Sequence, residues 1–403
     1  VDADLVVIGA GALGLSTALH AAVLGLSVVV VERETAGSQA SGRAAGLFKS
    51  VQADELRTAL ARRSIDLAAS FPDWAGAELA VTRSGSYLIA RTDEHKAYLQ
   101  TEAHQSSGWG VRLRQARAGE LDAAVSWFHG DGRELALWCP EDVYISEPAS
   151  LIEAYVAAAR LHGVQLLESE TVTGVTRSGR KVAGVETSRR SIATSRVVDA
   201  AGAWARQVAE MAGTRLAVAP VRHQLLITEQ SPGIDPADPI VRVVDAAVYL
   251  RPARGGLMVG GFEAAPLSVD PRAEEASFTT TDLPLDLGVL RDLTRQVETE
   301  VPLAAAAAAD HRGGLFTMTP DGRFVTGPVP AVPGLWVASG CNGSGFSSSL
   351  AIGEALAAWI CGKPDRLDLT ALSPARFGPL TDDALIAAGL WQYAHYYDPG
   401  QVS

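Results

Sequence analysis

Lysine is nearly missing from this chain. Among 403 residues it occurs only as Lys49, Lys96, Lys181 and Lys363, and basic residues never form a run. With 46 acidic against 34 basic residues the formal net charge is −12. Binding to a phosphate backbone leans on clustered positive charge, so nucleic acid is excluded as a general partner. Cysteine is scarce as well. Cys139, Cys341 and Cys361 are scattered, odd in number and without a C-x-x-C pair, which speaks against a disulfide framework and against a metal site. No apolar stretch approaches the ~20 residues of a membrane helix. The longest bland run, LAAAAAAD near residue 305, is short and rich in alanine. No signal segment is read before the first strand, and the expected location is the reducing cytoplasm.

Glycine is plentiful, at 39 residues, and 47% of the chain is hydrophobic. That is enough for a large core and for two or three domains. Residues 2 to 32 read DADLVVIGAGALGLSTALHAAVLGLSVVVVE. DLVVI is a buried strand of β-formers. Gly9, Gly11 and Gly14 then complete G-x-G-x-x-G: the first permits a tight turn, the second lets a pyrophosphate approach the backbone, and the third lets helix pack on sheet. Ala12 and Leu13 open the helix, whose positive end faces the phosphates. SVVVVE is the second strand. Glu32 ends it eighteen residues after Gly14, where an acid accepts hydrogen bonds from a ribose, and Arg33 follows. Strand, turn, helix, strand and acid together indicate a dinucleotide site, but this unit does not separate NAD from FAD. The next stretch, TAGSQASGRAAGLFKS, has the composition of backbone laid against a flat ligand, with Ser41, Arg43, Ala44, Ala45 and Gly46 as contacts.

Further along, helical patterns cover residues 54–71, 93–105, 148–163 and 283–300. GSYLIAR is strand-like, and VTGVTRSGRKVAGVETS is a hairpin around Ser178–Gly179 whose Val172 faces the nucleotide. DAAGAWA, 199–205, gives a turn of small residues in which Ala201, Gly202 and Trp204 let a ligand approach. HRGGLFTMTPDGRFVTGPVP, 311–330, is too rich in glycine and proline for a plain strand, and its Gly314 permits close approach to a ring. GCNGSG, 340–345, precedes a helix expected to begin near Phe346. Gly340, Asn342, Gly343, Ser344 and Gly345 would aim amides at a ligand from the far end of the chain.

On these motifs, with PVRHQLLITE, VYLRPARGGLMVGGFE and the tail ARFGPL…WQYAHYYDPG, the sequence resembles the glutathione-reductase-type FAD oxidoreductases of the D-amino acid oxidase superfamily. Within them it is most similar to the sarcosine oxidase, dimethylglycine dehydrogenase and glycine oxidase branch, over nearly the whole chain. The resemblance implies an α/β (α+β) fold: a discontinuous Rossmann FAD domain (1–84, 147–219 and 310–365), an inserted antiparallel-sheet substrate domain (85–146 and 220–309) and a C-terminal tail (366–403). It implies oxidation of a C–N bond to an imine, with hydride passing to the flavin.

The departures carry information. Relatives that tether FAD do so through a histidine where this chain has Arg43, or a cysteine where it has Gly314, so the FAD is expected to be non-covalent. Relatives that bind an amino-acid carboxylate place arginine at the position of Phe316 or lysine at that of Ser347. Simple glycine and sarcosine are therefore expected to be poor substrates, and another cation must anchor any acid group. Lys49, Arg43 and Arg251 are the candidates. Lys49 has a solvated surface charge as its plain reading, and Arg251, one strand step beyond Tyr249, has a surface ion pair. His223 sits on a half-buried strand and His311 is a weaker alternative; neither need be a strong base. The expected reaction is oxidation of a secondary or tertiary amine or amino-acid-like molecule, with oxygen or another acceptor taking the electrons. A 2-hydroxy-acid or D-amino acid oxidoreductase on the same fold remains open, as does a flavin-bearing subunit of a larger complex or an oligomer.

Overall fold

A computed structural model describes residues 2–363 and 367–398. Its first layer grows from the opening motif. Leu5–Ile8 and Val28–Val31 are fully buried parallel strands joined by the Ala12–Val23 helix, and a run of β-branched residues buried on both faces suits such a position. Gly14 makes the crossover tight: a Cβ there would lie 2.0 Å from the Gly9 carbonyl oxygen. Gln165–Leu167 extends the sheet on one side; Val197–Asp199, Leu335–Ser339 and the antiparallel Val325–Pro328 extend it on the other. Separate stretches of chain thus build one sheet. The Ser349–Ile360 helix packs so closely on the Ala12–Val23 helix that a Cβ on Gly353 would meet Ser16 Oγ at 2.2 Å.

The second layer is an eight-stranded sheet, in the order Ala308–Met318, Ala219–Thr228, Gly256–Gly261, Val248–Ala253, Ile240–Val243, Ser86–Ala90, Leu135–Cys139 and Arg114–Gln115. It is antiparallel except at one seam, where Ile240–Val243 runs parallel to Ser86–Ala90. No hairpin joins those two strands, so no turn dictates their direction.

The structure corrects several expectations. Residues 308–318 do form a plain strand, because they pair with Ala219–Thr228 along its length. Its glycines are there for neighbours: a Cβ on Gly313 would sit 2.6 Å from Leu285, and one on Gly314 3.1 Å from Ala40. Sheet membership therefore puts residues 310–318 with the inserted layer and not with the nucleotide-binding one. The helix expected near Phe346 starts at Ser349, after the glycine turn has closed. The 283–300 helix shrinks to Leu287–Arg295, opened by Asp286, whose side chain accepts from Gly288 N–H. The C-terminal Asp382–Ala394 helix lies on the second sheet, with Gly389 against Ala219 and Met318.

Candidate active site

A cavity of about 590 Å3 is lined by residues of both layers. At one end stand Gly9, Gly11, Ala12 and Leu13. Gly9 has φ +101°, and a Cβ there would press on the Ala200 carbonyl at 2.6 Å; only glycine takes that turn without strain. Gly11, the helix N-cap, contributes no side chain, and Ser41 Oγ accepts from Ala12 N–H at 3.0 Å. Glu32 lines the cavity while its two oxygens accept from the amides of Ala10 (2.8 Å) and Glu34 (3.0 Å). Burial raises its pKa, and those amides oppose the rise. Arg33 lays its guanidinium 4.5 Å from the Trp204 ring centroid and donates to the Phe278 carbonyl. Val172, Ala201 and Gly202 complete this end. Next along the chain come Ser41, Arg43, Ala44, Ala45 and Gly46, with Gly314 from the second sheet; Gly343, Ser344 and Gly345 enter from the C-terminal glycine turn. A glycine turn, a helix N-terminus free of bulk, an acid at the strand end and a long slot between layers together fit a dinucleotide.

Four residues assigned to the site from sequence stand outside the lining: Gly14, Gly340, Asn342 and Arg251. Gly14 serves helix packing. A Cβ on Gly340 would strike Thr319 and Val325. Asn342 is buried, accepting from Thr319 N–H at 2.9 Å and donating to the Gly340 carbonyl at 2.7 Å, so it locks the turn. Arg251 is fully buried and in no surface ion pair. It donates to the carbonyls of Ala45, Ser146 and Pro252 at 2.7–2.9 Å and lies over the Tyr144 ring. Its charge holds the flavin-type loop in place and is not offered to a substrate. His311 likewise lies outside the lining, beside Gln224.

At the other end the structure assembles what the sequence did not show. His223 Nδ1 is 2.7 Å from the Tyr393 hydroxyl and Nε2 is 2.8 Å from that of Tyr249. The imidazole stacks on Phe316 with centroids 4.3 Å apart. Burial pushes its pKa down to about 3, so the ring is neutral. Burial first of all also raises both tyrosines, which stay protonated. A neutral imidazole carries one N–H. One ring nitrogen therefore donates and the other accepts, so His223 links the Tyr393 hydroxyl to that of Tyr249, which lines the cavity. Phe262, Tyr396 and Tyr397 complete an aromatic wall. Tyr393, Tyr396 and Tyr397 all come from the C-terminal segment. The aromatic cluster YAHYY was the available signal, yet nothing in it names a histidine 170 positions away.

Lys49 does line the cavity and is no solvated surface charge; it pairs with Glu102 at 2.8 Å. Burial would lower its pKa, but Glu102 and the phenols of Tyr98 and Tyr397 carry it above the ordinary lysine value. Arg242, unassigned from sequence, also lines the cavity and pairs with buried Asp142 at 2.9 Å. Among the described residues no group of three or more His, Cys, Asp or Glu is placed to hold a metal ion, and no helix is long and apolar enough to cross a membrane.

Residues 4–359 match the family described as FAD dependent oxidoreductase. The chain is 30% identical over 380 residues to the mitochondrial sarcosine dehydrogenase of Homo sapiens, covering 90% of this chain and 40% of that protein. It is 29% identical over 377 residues to the formaldehyde-forming 4-methylaminobutanoate oxidase of Paenarthrobacter nicotinovorans, covering 92% of this chain and 45% of that one. The chain thus spans less than half the length of these relatives. The L-proline dehydrogenase of P. horikoshii superposes with a TM-score of 0.84 at 25% identity, covering 93% of this chain and 98% of that one.

Proposed function

The chain belongs to the FAD dependent oxidoreductase family, and on that premise we propose that it oxidises a secondary or tertiary amine to an imine, which water then hydrolyses. When bound, FAD supplies the two-electron acceptor for the hydride that leaves the carbon beside nitrogen. Gly9, Gly11, Ala12 and Glu32 would hold its nucleotide half, and Ser41 to Gly46 with Gly343 to Gly345 its ring system.

The observation that carries this reading is the hydrogen-bonded chain Tyr393–His223–Tyr249 at the cavity. Its neutral histidine takes no proton near neutral pH, and the Tyr249 phenol at its end is the hydroxyl that would donate to a bound amine. A donor placed on an amine nitrogen favours the unprotonated base, the form able to lose hydride from its α-carbon. The aromatic wall of Phe262, Phe316, Tyr396 and Tyr397 excludes water and orients the substrate. The test is anaerobic bleaching of the bound flavin by a panel of N-alkyl amines, amino acids and 2-hydroxy acids. Amines should bleach it, and glycine and sarcosine should do so poorly, since Phe316 and Ser347 bring no charge. Bleaching by hydroxy acids alone would overturn the reading.

A further inference from the structure

Most cations around the cavity are already engaged. Lys49 and Arg242 face buried carboxylates. Arg272 binds Asp270 and Asp382 at 2.7 Å and Glu210 at 2.6 Å. Arg33 lies on Trp204. Arg312 differs. It lines the cavity and its side chain is 11% exposed, yet its Nε is buried without a partner. Its Nη2 reaches the Ala44 carbonyl only at 3.4 Å, and its Nη1 stands 3.9 Å from Asp310. A guanidinium has five donors, and leaving a buried one unmet is costly.

Its place in the strand says what it faces. Alternate residues of a strand share a face, so Arg312 is on the face of Gly314 and Phe316. Arg312 lies opposite Leu225, and Gly314 opposite His223. Arg312 thus springs from the row two residues from the His223 row, about 7 Å along the sheet.

We infer that Arg312 anchors a carboxylate of the substrate, and that this carboxylate is separated from the reacting nitrogen by a chain of several carbons. The inference rests on the amine-oxidation reading. An α-carboxylate lies only two bonds from its nitrogen and falls short of that row when the amine is at Tyr249. A carboxylate three or four carbons away reaches it. The anchor absent at Phe316 is thus supplied from the same face of the same strand, and the changed spacing selects a longer acid.

The test uses the FAD-loaded protein and its R312M and R312K variants. Flavin reduction is titrated anaerobically with 4-(methylamino)butanoate, N-methylbutylamine and sarcosine. Butanoate, which cannot be oxidised this way, is titrated separately by its perturbation of the flavin spectrum. For the four-carbon amino acid and for butanoate, R312M should raise Kd about 10- to 100-fold, with N-methylbutylamine unchanged within about twofold. R312K, keeping charge but not the fork, should fall between, and keeps the question open to test if R312M loses flavin. Equal effects on acid and amine, no effect on either, or tighter binding of sarcosine than of the four-carbon acid would overturn the inference. If no amine bleaches the wild-type flavin, the amine-oxidation reading fails. The butanoate titration then still decides Arg312: weaker binding in R312M supports the anchor, and unaltered binding refutes it.

Discussion

Two buried side chains differ in what the fold does to their protons. With His223 neutral, the Tyr249 hydroxyl is the group of this chain proposed to donate to a bound amine. Tyr249→Phe should therefore leave FAD bound but let the bound amine stay protonated to higher pH. We expect the alkaline-rising limb of the flavin-reduction rate to move up by about one pH unit, the worth of one hydrogen bond. A stopped-flow pH profile with an unmoved midpoint would remove Tyr249 from this role. Asp199 ends the Val197–Asp199 strand, fully enclosed, with Oδ1 accepting from Ala201 N–H and Oδ2 without a partner. Burial raises its pKa from 3.8 to about 8. A carboxyl raised in the folded state contributes fully below its unfolded pKa and loses that contribution as pH climbs to the folded value. Asp199→Asn should thus gain stability over the parent between about pH 4 and 8, by up to about 1.4 kcal/mol per pH unit. Denaturant titrations at pH 5 and 8 with the same difference would contradict this.

At the scale of elements, the first βαβ unit and the C-terminal helix make separable contributions. Glu32 stands where the Val28–Val31 strand ends, and it organises the turn through Ala10 and Glu34 as well as facing the cavity. Glu32→Ala should weaken FAD binding by roughly 1.5–3 kcal/mol, the loss of one charge-assisted bond. Apoprotein reconstitution followed by fluorescence titration would show it, and unchanged affinity would place Glu32 outside the cofactor's reach. The Asp382–Ala394 helix delivers Tyr393 to Nδ1 of His223. Tyr393→Phe breaks the chain at its root and frees the imidazole to change tautomer. We expect the reduction rate to fall about tenfold, as for one lost positioning hydrogen bond, with FAD affinity retained because Tyr393 is not in the lining. Equal losses of rate and of FAD affinity would make this helix a cofactor clamp instead.

For the whole molecule, the decisive feature is that the cavity joins both layers and that the two positions at which a flavin tether would be expected hold Arg43 and Gly314. Arg43 stays protonated and is a poor nucleophile. Gly314 has no side chain, and both nitrogens of His223 are engaged. Acid precipitation should leave a white pellet and a yellow supernatant. A denatured chain heavier by the mass of FAD would overturn non-covalent binding. Much of this architecture was open to reading in the chain itself, because the glycine turns and the apolar strands beside them are local: Gly14 packs against the carbonyl of Gly9 within one motif. The Ala308–Met318 strand was misread for the same reason. Glycine is a weak strand former in isolation, and the neighbours that require Gly313 and Gly314, Leu285 and Ala40, are distant in sequence.

The sequence by itself determined the dinucleotide-binding half, which depends on short-range backbone geometry that spacing reveals, and the lack of charge at Phe316 and Ser347. That the dinucleotide is FAD came from the resemblance of the motifs to a known family. Only the tertiary structure decided how the charges and phenols are used. Arg251 and Arg312 sit on two strands of one sheet and are equally cationic on paper. One is spent on three carbonyls, and the other keeps a buried donor unmet. Lys49 became half of a buried pair because Glu102, 53 residues on, folds against it. His223 gained a hydrogen-bond partner from a helix near the end of the chain. Electrostatic roles depend on burial and on partners brought together from afar, and both exist only once the chain has closed on itself.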